Sequence, residues 1–140
     1  MNYNSCPVSL EILLVEDNPG DIFLTQETLK NLTIPNHIHI VRDGEEALAF
    51  LYQQDPYKTA PRPHIILLDL NLPKKNGREV LEALKTNLSL NQIPVIVLTT
   101  SVADEEILKS HHLPASYYIP KPYDLSQFSQ IVRAIESLRG

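Results

Sequence analysis

Four short apolar runs, each closing on polar residues, restrict this chain more than any other feature of it. Ile12-Leu13-Leu14-Val15 runs into Glu16-Asp17, and Ile65-Ile66-Leu67-Leu68 runs into Asp69. Val95-Ile96-Val97-Leu98 runs into Thr99-Thr100, and Tyr117-Tyr118-Ile119 leads through Pro120 to Lys121. Continuous runs of this length suit strands of a parallel sheet covered by helices on both faces. In open sheets of that kind, ligands sit outside the carboxyl ends of the strands. The pattern therefore predicts three carboxylates, a hydroxyl and an ammonium around one crevice. Such a set can hold a divalent cation, accept a phosphoryl group and neutralise its charge.

Between the runs lie stretches with helical spacing. Strand 1 is expected over about Glu11–Glu16. Asn18-Pro19 then supplies a cap and a proline at the first helical position, and Ile22, Phe23, Leu29 and Leu32 give helix 1 an inner face. His37 and His39 alternate with Ile38 and Ile40 in strand 2 (His37–Val41), which suggests an edge strand with one wetter face. Helix 2 starts after Asp43-Gly44 and carries Ala47, Leu48 and Leu51. The stretch Gln53–Pro63 has three prolines and no apolar period, so it is expected to be a loop insertion before strand 3. Helix 3 covers about Arg78–Thr86 with Val80, Leu81 and Leu84 inward. Strand 4 follows Pro94, helix 4 runs from about Asp104 to His111, strand 5 is Ser116–Ile119, and helix 5 reaches from about Asp124 to Leu138. Five βα units make a three-layer α/β domain with right-handed crossovers.

Composition removes several classes of function. With 12 Lys+Arg against 17 Asp+Glu the net charge is −5, and the longest basic cluster is Lys74-Lys75. That argues against nucleic acid as a partner, because phosphate-backbone binding needs a concentrated basic surface. No apolar stretch approaches the roughly 18 residues of a membrane span, and no signal-peptide core stands at the N-terminus. The single cysteine, Cys6, allows no internal disulfide and points to a cytoplasmic protein. It lies in an unpatterned stretch, 1–9, expected to be a flexible leader, with one domain over 10–140.

Adjacent carboxylates such as Glu16 and Asp17 repel unless a cation offsets them. As an isolated pair they fit solvation at a helix N-terminus as well as metal binding. Asp69, closing a wholly apolar run, shifts the balance. A carboxylate there serves either as a cap, although helix 3 starts later, or as a nucleophile that attacks phosphorus while a cation screens the charges. Oxygen-only ligands suit Mg²⁺. Thr99 can donate to a phosphoryl oxygen, and Lys121 supplies a movable point charge.

The chain resembles a response-regulator receiver domain of two-component signalling over about Glu11–Leu138. The resemblance rests on Leu13-Leu14-Val15-Glu16-Asp17-Asn18, on Ile66-Leu67-Leu68-Asp69-Leu70-Asn71-Leu72-Pro73, on Asn76-Gly77, on Pro94-Val95-Ile96-Val97-Leu98-Thr99 and on Lys121-Pro122. It implies a flavodoxin-like (βα)5 fold with a five-stranded parallel sheet in the order 2-1-3-4-5, and no output domain. It also implies that Asp69 is the phosphoacceptor and that the protein catalyses only its own phosphorylation and dephosphorylation. Mg²⁺ would be held by Asp17, by Glu16 through water, by Asp69 and by the backbone carbonyl of Asn71. Thr99 and Lys121 would contact the phosphoryl group, and Tyr118 would change rotamer with Thr99. Thr100 departs from the family pattern, in which a small residue follows the threonine. It makes Asn71, Thr100 and Ser101 candidates for setting reaction rates.

The insertion before strand 3, the segment Asn71–Gly77 and Leu98-Thr99-Thr100-Ser101 resemble a narrower group, the single-domain regulators that serve phytochrome histidine kinases. The implied partners are a sensor histidine kinase of phytochrome type, a downstream protein target, and a second copy of the chain through helix 4, strand 5 and helix 5. Two other readings fit less well. An FMN-binding relative needs a hydroxyl- and glycine-rich loop where Glu16–Asp21 stands, and a Mg²⁺-dependent aspartyl phosphatase commonly has a second acid where Asn71 stands. The histidines suggest no metal site: His111-His112 are adjacent, and His37, His39 and His64 lack a third ligand at a recognisable spacing.

Overall fold

The computed structural model describes residues 9–30, 35–69, 77–99 and 117–120. Along the chain run β1 (Leu10–Val15), α1 (Pro19–Lys30), β2 (Asn36–Val41), α2 (Gly44–Leu51), β3 (Ile65–Asp69), α3 (Gly77–Thr86), β4 (Val95–Thr99) and β5 (Tyr117–Pro120). The five strands form one parallel sheet in the order β2-β1-β3-β4-β5. The apolar runs sit at its centre because both of their faces are covered. Leu13, Val15, Ile66, Leu68, Val95 and Val97 pack with Ala47, Phe50 and Leu51 of α2 and with Val80, Leu81 and Leu84 of α3. Leu10, Ile12, Leu14, Ile65, Leu67, Ile96 and Leu98 pack on the other side with Ile22 and Leu29 of α1. This is the expected three-layer arrangement, with β2 and β5 as edges.

Local chemistry sets the helix ends. Asn18 starts α1 as expected, its Oδ1 accepting from the Asp21 N–H at 3.0 Å and its carbonyl from Ile22 at 2.9 Å. Asp43 caps α2 through Oδ1 on the Glu46 N–H at 2.7 Å, with Glu45 and Glu46 in the first turn complementing the helix dipole. At the far end of α2 the chain turns left-handed at Gln53 (φ 55°). The Gln53 N–H reaches the Phe50 carbonyl and the Gln54 N–H the Ala49 carbonyl, which is the Schellman closure usually made with glycine. A glutamine occupies this unfavourable conformation while its Nε2 donates to the Ala60 carbonyl at 2.7 Å.

The insertion is a loop, as expected, but it is tied down. Tyr57 packs on Phe50 with ring centroids 5.3 Å apart, and its hydroxyl donates to Glu46 Oε1 at 2.6 Å. That bond to a carboxylate, helped by partial burial, pushes the Tyr57 pKa up to about 12. Arg62 donates from Nη1 to the Ser89 carbonyl at 2.8 Å, bridging to the connection between α3 and β4.

The inner faces of the first two helices need correcting. Phe23, expected inside, is 59% exposed, as is the neighbouring Leu24 at 58%, whereas Thr25 is buried with Ile22 and Leu29. Residues 22, 25 and 29 fall on one stripe at 3.6 residues per turn, and Phe23 lies about 100° away from Ile22. In α2, Phe50 is a core residue that the spacing argument passed over, and Leu48 is only partly buried. Boundaries move by one residue: β1 and β2 start earlier, β1 stops before Glu16, α3 begins at Gly77, and β5 is shifted one residue on. Leu32 and the segments 104–111 and 124–138 lie outside the described residues.

Leu67→Ala, in a strand buried on both faces, is expected to lower unfolding free energy by about 2–5 kcal/mol. Phe23→Ala is expected to change it by less than about 0.5 kcal/mol. Urea unfolding of the two variants beside the parent chain checks both values.

Candidate functional site

The carboxyl edge of the sheet brings the predicted acids together. β1 and β3 pair in register up to Val15 and Leu68, so the residues that follow emerge side by side. Glu16 is the first residue past β1. Its N–H donates to the Val41 carbonyl at 3.0 Å, continuing the contact with β2, and its side chain is fully buried. The Asn18 N–H lies 3.4 Å from Glu16 Oε2, a long hydrogen bond that holds the turn into α1. Asp17, next in the chain, is exposed. Asp69 is the last residue of β3 and is 7% exposed. One carboxylate oxygen from each of Glu16, Asp17 and Asp69 lies within 4.8 Å of the other two.

Three carboxylates this close, two of them buried, repel one another in a medium less polar than water. A divalent cation relieves that repulsion, and the donor set fits one. Around a Mg²⁺ ion with bonds of about 2.1 Å, neighbouring ligand oxygens lie about 3 Å apart and opposite ones about 4.2 Å. A spread of up to 4.8 Å leaves room for one ligand to act through water. Mg²⁺ favours this arrangement because it dehydrates reluctantly.

The remaining predicted residues are placed by the backbone. Asp69 is the register partner of Leu98, so Thr99 ends β4 one residue further along the same edge. Thr99 in turn pairs with Pro120, the last residue of β5 and the one before Lys121. Tyr118 lies within β5 opposite Val97. The edge thus runs acid pair, Asp69, Thr99, Pro120, with Asp69 central. Asn71, Thr100, Ser101 and Lys121 lie outside the described residues.

A second polar cluster was not anticipated. His37 and His39 do have a common partner: Glu11, whose Oε2 is 3.0 Å from His37 Nδ1 and whose Oε1 is 2.7 Å from His39 Nε2. The His39 hydrogen bond, followed by the weaker His37 contributions, holds the Glu11 carboxyl below its usual range against the effect of burial. The available signal was the His-Xaa-His alternation itself, which put two rings on one face. What was missing was the register that sets Glu11 opposite His37.

Residues 12–133 match the model of the response regulator receiver domain. The chain belongs to the response regulator receiver family. It is a phosphoacceptor domain of two-component signalling. Response regulator Rcp1 of Synechocystis sp. is 50% identical over 126 residues, a match spanning 90% of this chain and 86% of the relative. Among solved structures, the phosphorylated cyanobacterial phytochrome response regulator RcpA superimposes with a TM-score of 0.79 at 51% identity, covering 92% of each chain. The Mn²⁺-bound form of Rcp1 gives 0.77 at 49% identity, over 91% of this chain and 92% of its own. The flavodoxin-like receiver fold and its strand order follow from the family and the sheet together.

Asp17 is the exposed carboxylate of the acid cluster, so its loss should weaken cation binding without unfolding the chain. Asp17→Ala is expected to weaken Mg²⁺ at least about tenfold and to shift stability by less than about 0.5 kcal/mol. Titration calorimetry and thermal unfolding measure the two effects.

Proposed function

We propose that this chain accepts a phosphoryl group on Asp69 from the phosphohistidine of a sensor kinase, in a Mg²⁺-dependent transfer that switches a protein-binding surface. The observation that carries this reading is the meeting of the Glu16, Asp17 and Asp69 carboxylates at the carboxyl edge, with Asp69 in the middle. Asp17, Asp69 and the Asn71 carbonyl would hold the ion directly, and Glu16 would act mainly through water. When bound, the ion screens the approach of a negatively charged phosphoryl group to a carboxylate.

The chemistry of the chain itself is simple. An Asp69 carboxylate oxygen attacks phosphorus, an O–P bond forms and the N–P bond to the kinase histidine breaks. The histidine leaves as imidazole and the product is an acyl phosphate. Lys121 neutralises one phosphoryl oxygen, and Thr99 donates to another. Asn71, Thr100 and Ser101 are the candidates for setting the rates of transfer and hydrolysis. Beyond this self-directed chemistry the domain is not an enzyme.

The kinase is of phytochrome type, a reading supported by half-identity to two regulators, one of them described as a phytochrome response regulator. The net charge of −5, with no basic cluster longer than Lys74-Lys75, argues against nucleic acid, and no helix among the described residues is long and apolar enough to cross a membrane. Both fit a receiver domain over 10–140.

Acetyl phosphate with Mg²⁺ is expected to add one acid-stable, base-labile phosphoryl group, and chelation to prevent it. Peptide mapping should put the label on Asp69 and find none in Asp69→Asn. Lys121→Ala should retain Mg²⁺ while failing to transmit phosphorylation to the surface. A label elsewhere overturns the assignment.

Output leaves through β5 and the segments 104–111 and 124–138, which the sequence pattern assigns to helices 4 and 5, toward a downstream protein or a second copy of the chain. Thr99 moves toward the phosphoryl group and Tyr118 turns into the space behind it, a two-state element biased by the phosphate. β5 is an edge of the sheet, which supports a symmetric contact there. Sedimentation with and without beryllofluoride is expected to show a homodimer, disrupted by charge substitutions on β5. A monomer in both states refutes this face.

A further inference from the structure

The amino rim of the sheet holds a set of metal-ligating side chains far from the acid cluster. Glu11 is the second residue of β1 and lies five residues before Glu16, about 16 Å along an extended strand. It is opposite His37 in the β1–β2 register, and His39, two residues on, points to the same face. The carboxylate meets both rings, at 3.0 Å to His37 Nδ1 and 2.7 Å to His39 Nε2. Ser9 Oγ also lies 3.5 Å from His37 Nδ1.

Two of the three residues are anchored. The Glu11 main chain is fixed on both sides of its peptide by His64, whose Nδ1 accepts from the Glu11 N–H at 2.9 Å and whose own N–H donates to the Glu11 carbonyl at 2.8 Å. The His39 ring packs against Phe50 with centroids 5.3 Å apart. Their side chains are 19% and 29% exposed, whereas His37 is 68% exposed and has room to turn.

We infer that Glu11, His37 and His39 form a second metal site, selective for a divalent ion of the zinc class. Two imidazole nitrogens with one carboxylate oxygen are a donor set that suits Zn²⁺, with solvent as the fourth ligand. The oxygen-only cluster at the opposite rim suits Mg²⁺ instead. Neighbouring ligands of a tetrahedral zinc site lie about 3.3 Å apart, given bonds of about 2.0–2.1 Å. The two N···O separations fall just inside that spacing. The two rings rest on different oxygens of one carboxylate. The three groups do not form the tight cluster that Glu16, Asp17 and Asp69 do. Binding therefore requires the exposed His37 ring to swing in over Glu11, toward His39. The ion displaces any proton held between ring and carboxylate, so affinity falls with falling pH.

The test is calorimetric titration of the full chain with Zn²⁺ in saturating Mg²⁺, with Co²⁺ absorption as a second reading of nitrogen ligation. One ion per chain is expected. Binding should persist in Asp17→Ala, in which the acid cluster is broken, and should raise the unfolding temperature. His37→Ala, at a side chain too exposed to disturb the fold, should weaken it at least about tenfold, and the His37→Ala/His39→Ala pair should abolish it. No binding, or binding that survives the double substitution, overturns the inference. Neither result bears on phosphorylation of Asp69, which is read separately by the mass label.

Discussion

The structure depends on the parallel pairing of β1 with β3 and the point at which each strand stops. Ile12 to Val15 lie opposite Ile65 to Leu68, and both strands leave the sheet within a residue of each other. Parallel strands point the same way, so residues just past their ends share one rim. If β3 slipped by one position, Asp69 would move about 3.3 Å along the strand and its side chain would change face. The register is held by apolar side chains on both faces of the sheet, Leu13, Val15, Ile66 and Leu68 on one and Ile12, Leu14, Ile65 and Leu67 on the other. A slip would exchange one set for the other between two different helical layers. The core thus determines where the carboxylates meet.

That placement opposes stability locally. Glu16 is fully buried and Asp69 nearly so, beside a third acid. Like charges held this close repel one another. The hydrophobic layers beneath offset this cost, and a cation at the rim converts the repulsion into binding energy. A site arranged in this way is most stable when loaded, which couples the ion to the conformation that presents Asp69.

Much of this was legible from residue order. The apolar runs located the central strands, and Asn18 and Asp43 marked two helix starts through their short side-chain acceptors. Asp69 stood out because a carboxylate at the end of an apolar run has few bland explanations. The failures share a physical reason, because each depended on contacts between distant segments. Phe23 was counted as core because it is large and apolar. The stripe of α1 that meets the sheet carries Ile22, Thr25 and Leu29 instead. Phe50 joined the core because Tyr57 and His39 came to meet it. Glu11 found its histidines through strand pairing between residues 26 and 28 positions away.

The insertion between α2 and β3 has a further consequence for how motion is distributed. Gln53 is tied to Ala60, Tyr57 to Glu46, Arg62 to Ser89 and His64 to the Glu11 main chain. Three of these ties gather at the amino rim, while the Tyr57 bond reaches the first turn of α2, so the loop joins both ends of α2, the connection from α3 to β4 and the first residues of β1 and β3. A loop fastened from one end of α2 to the other moves with the layer it covers, so the segment that looks most like an insertion behaves mechanically as part of the wall of the domain.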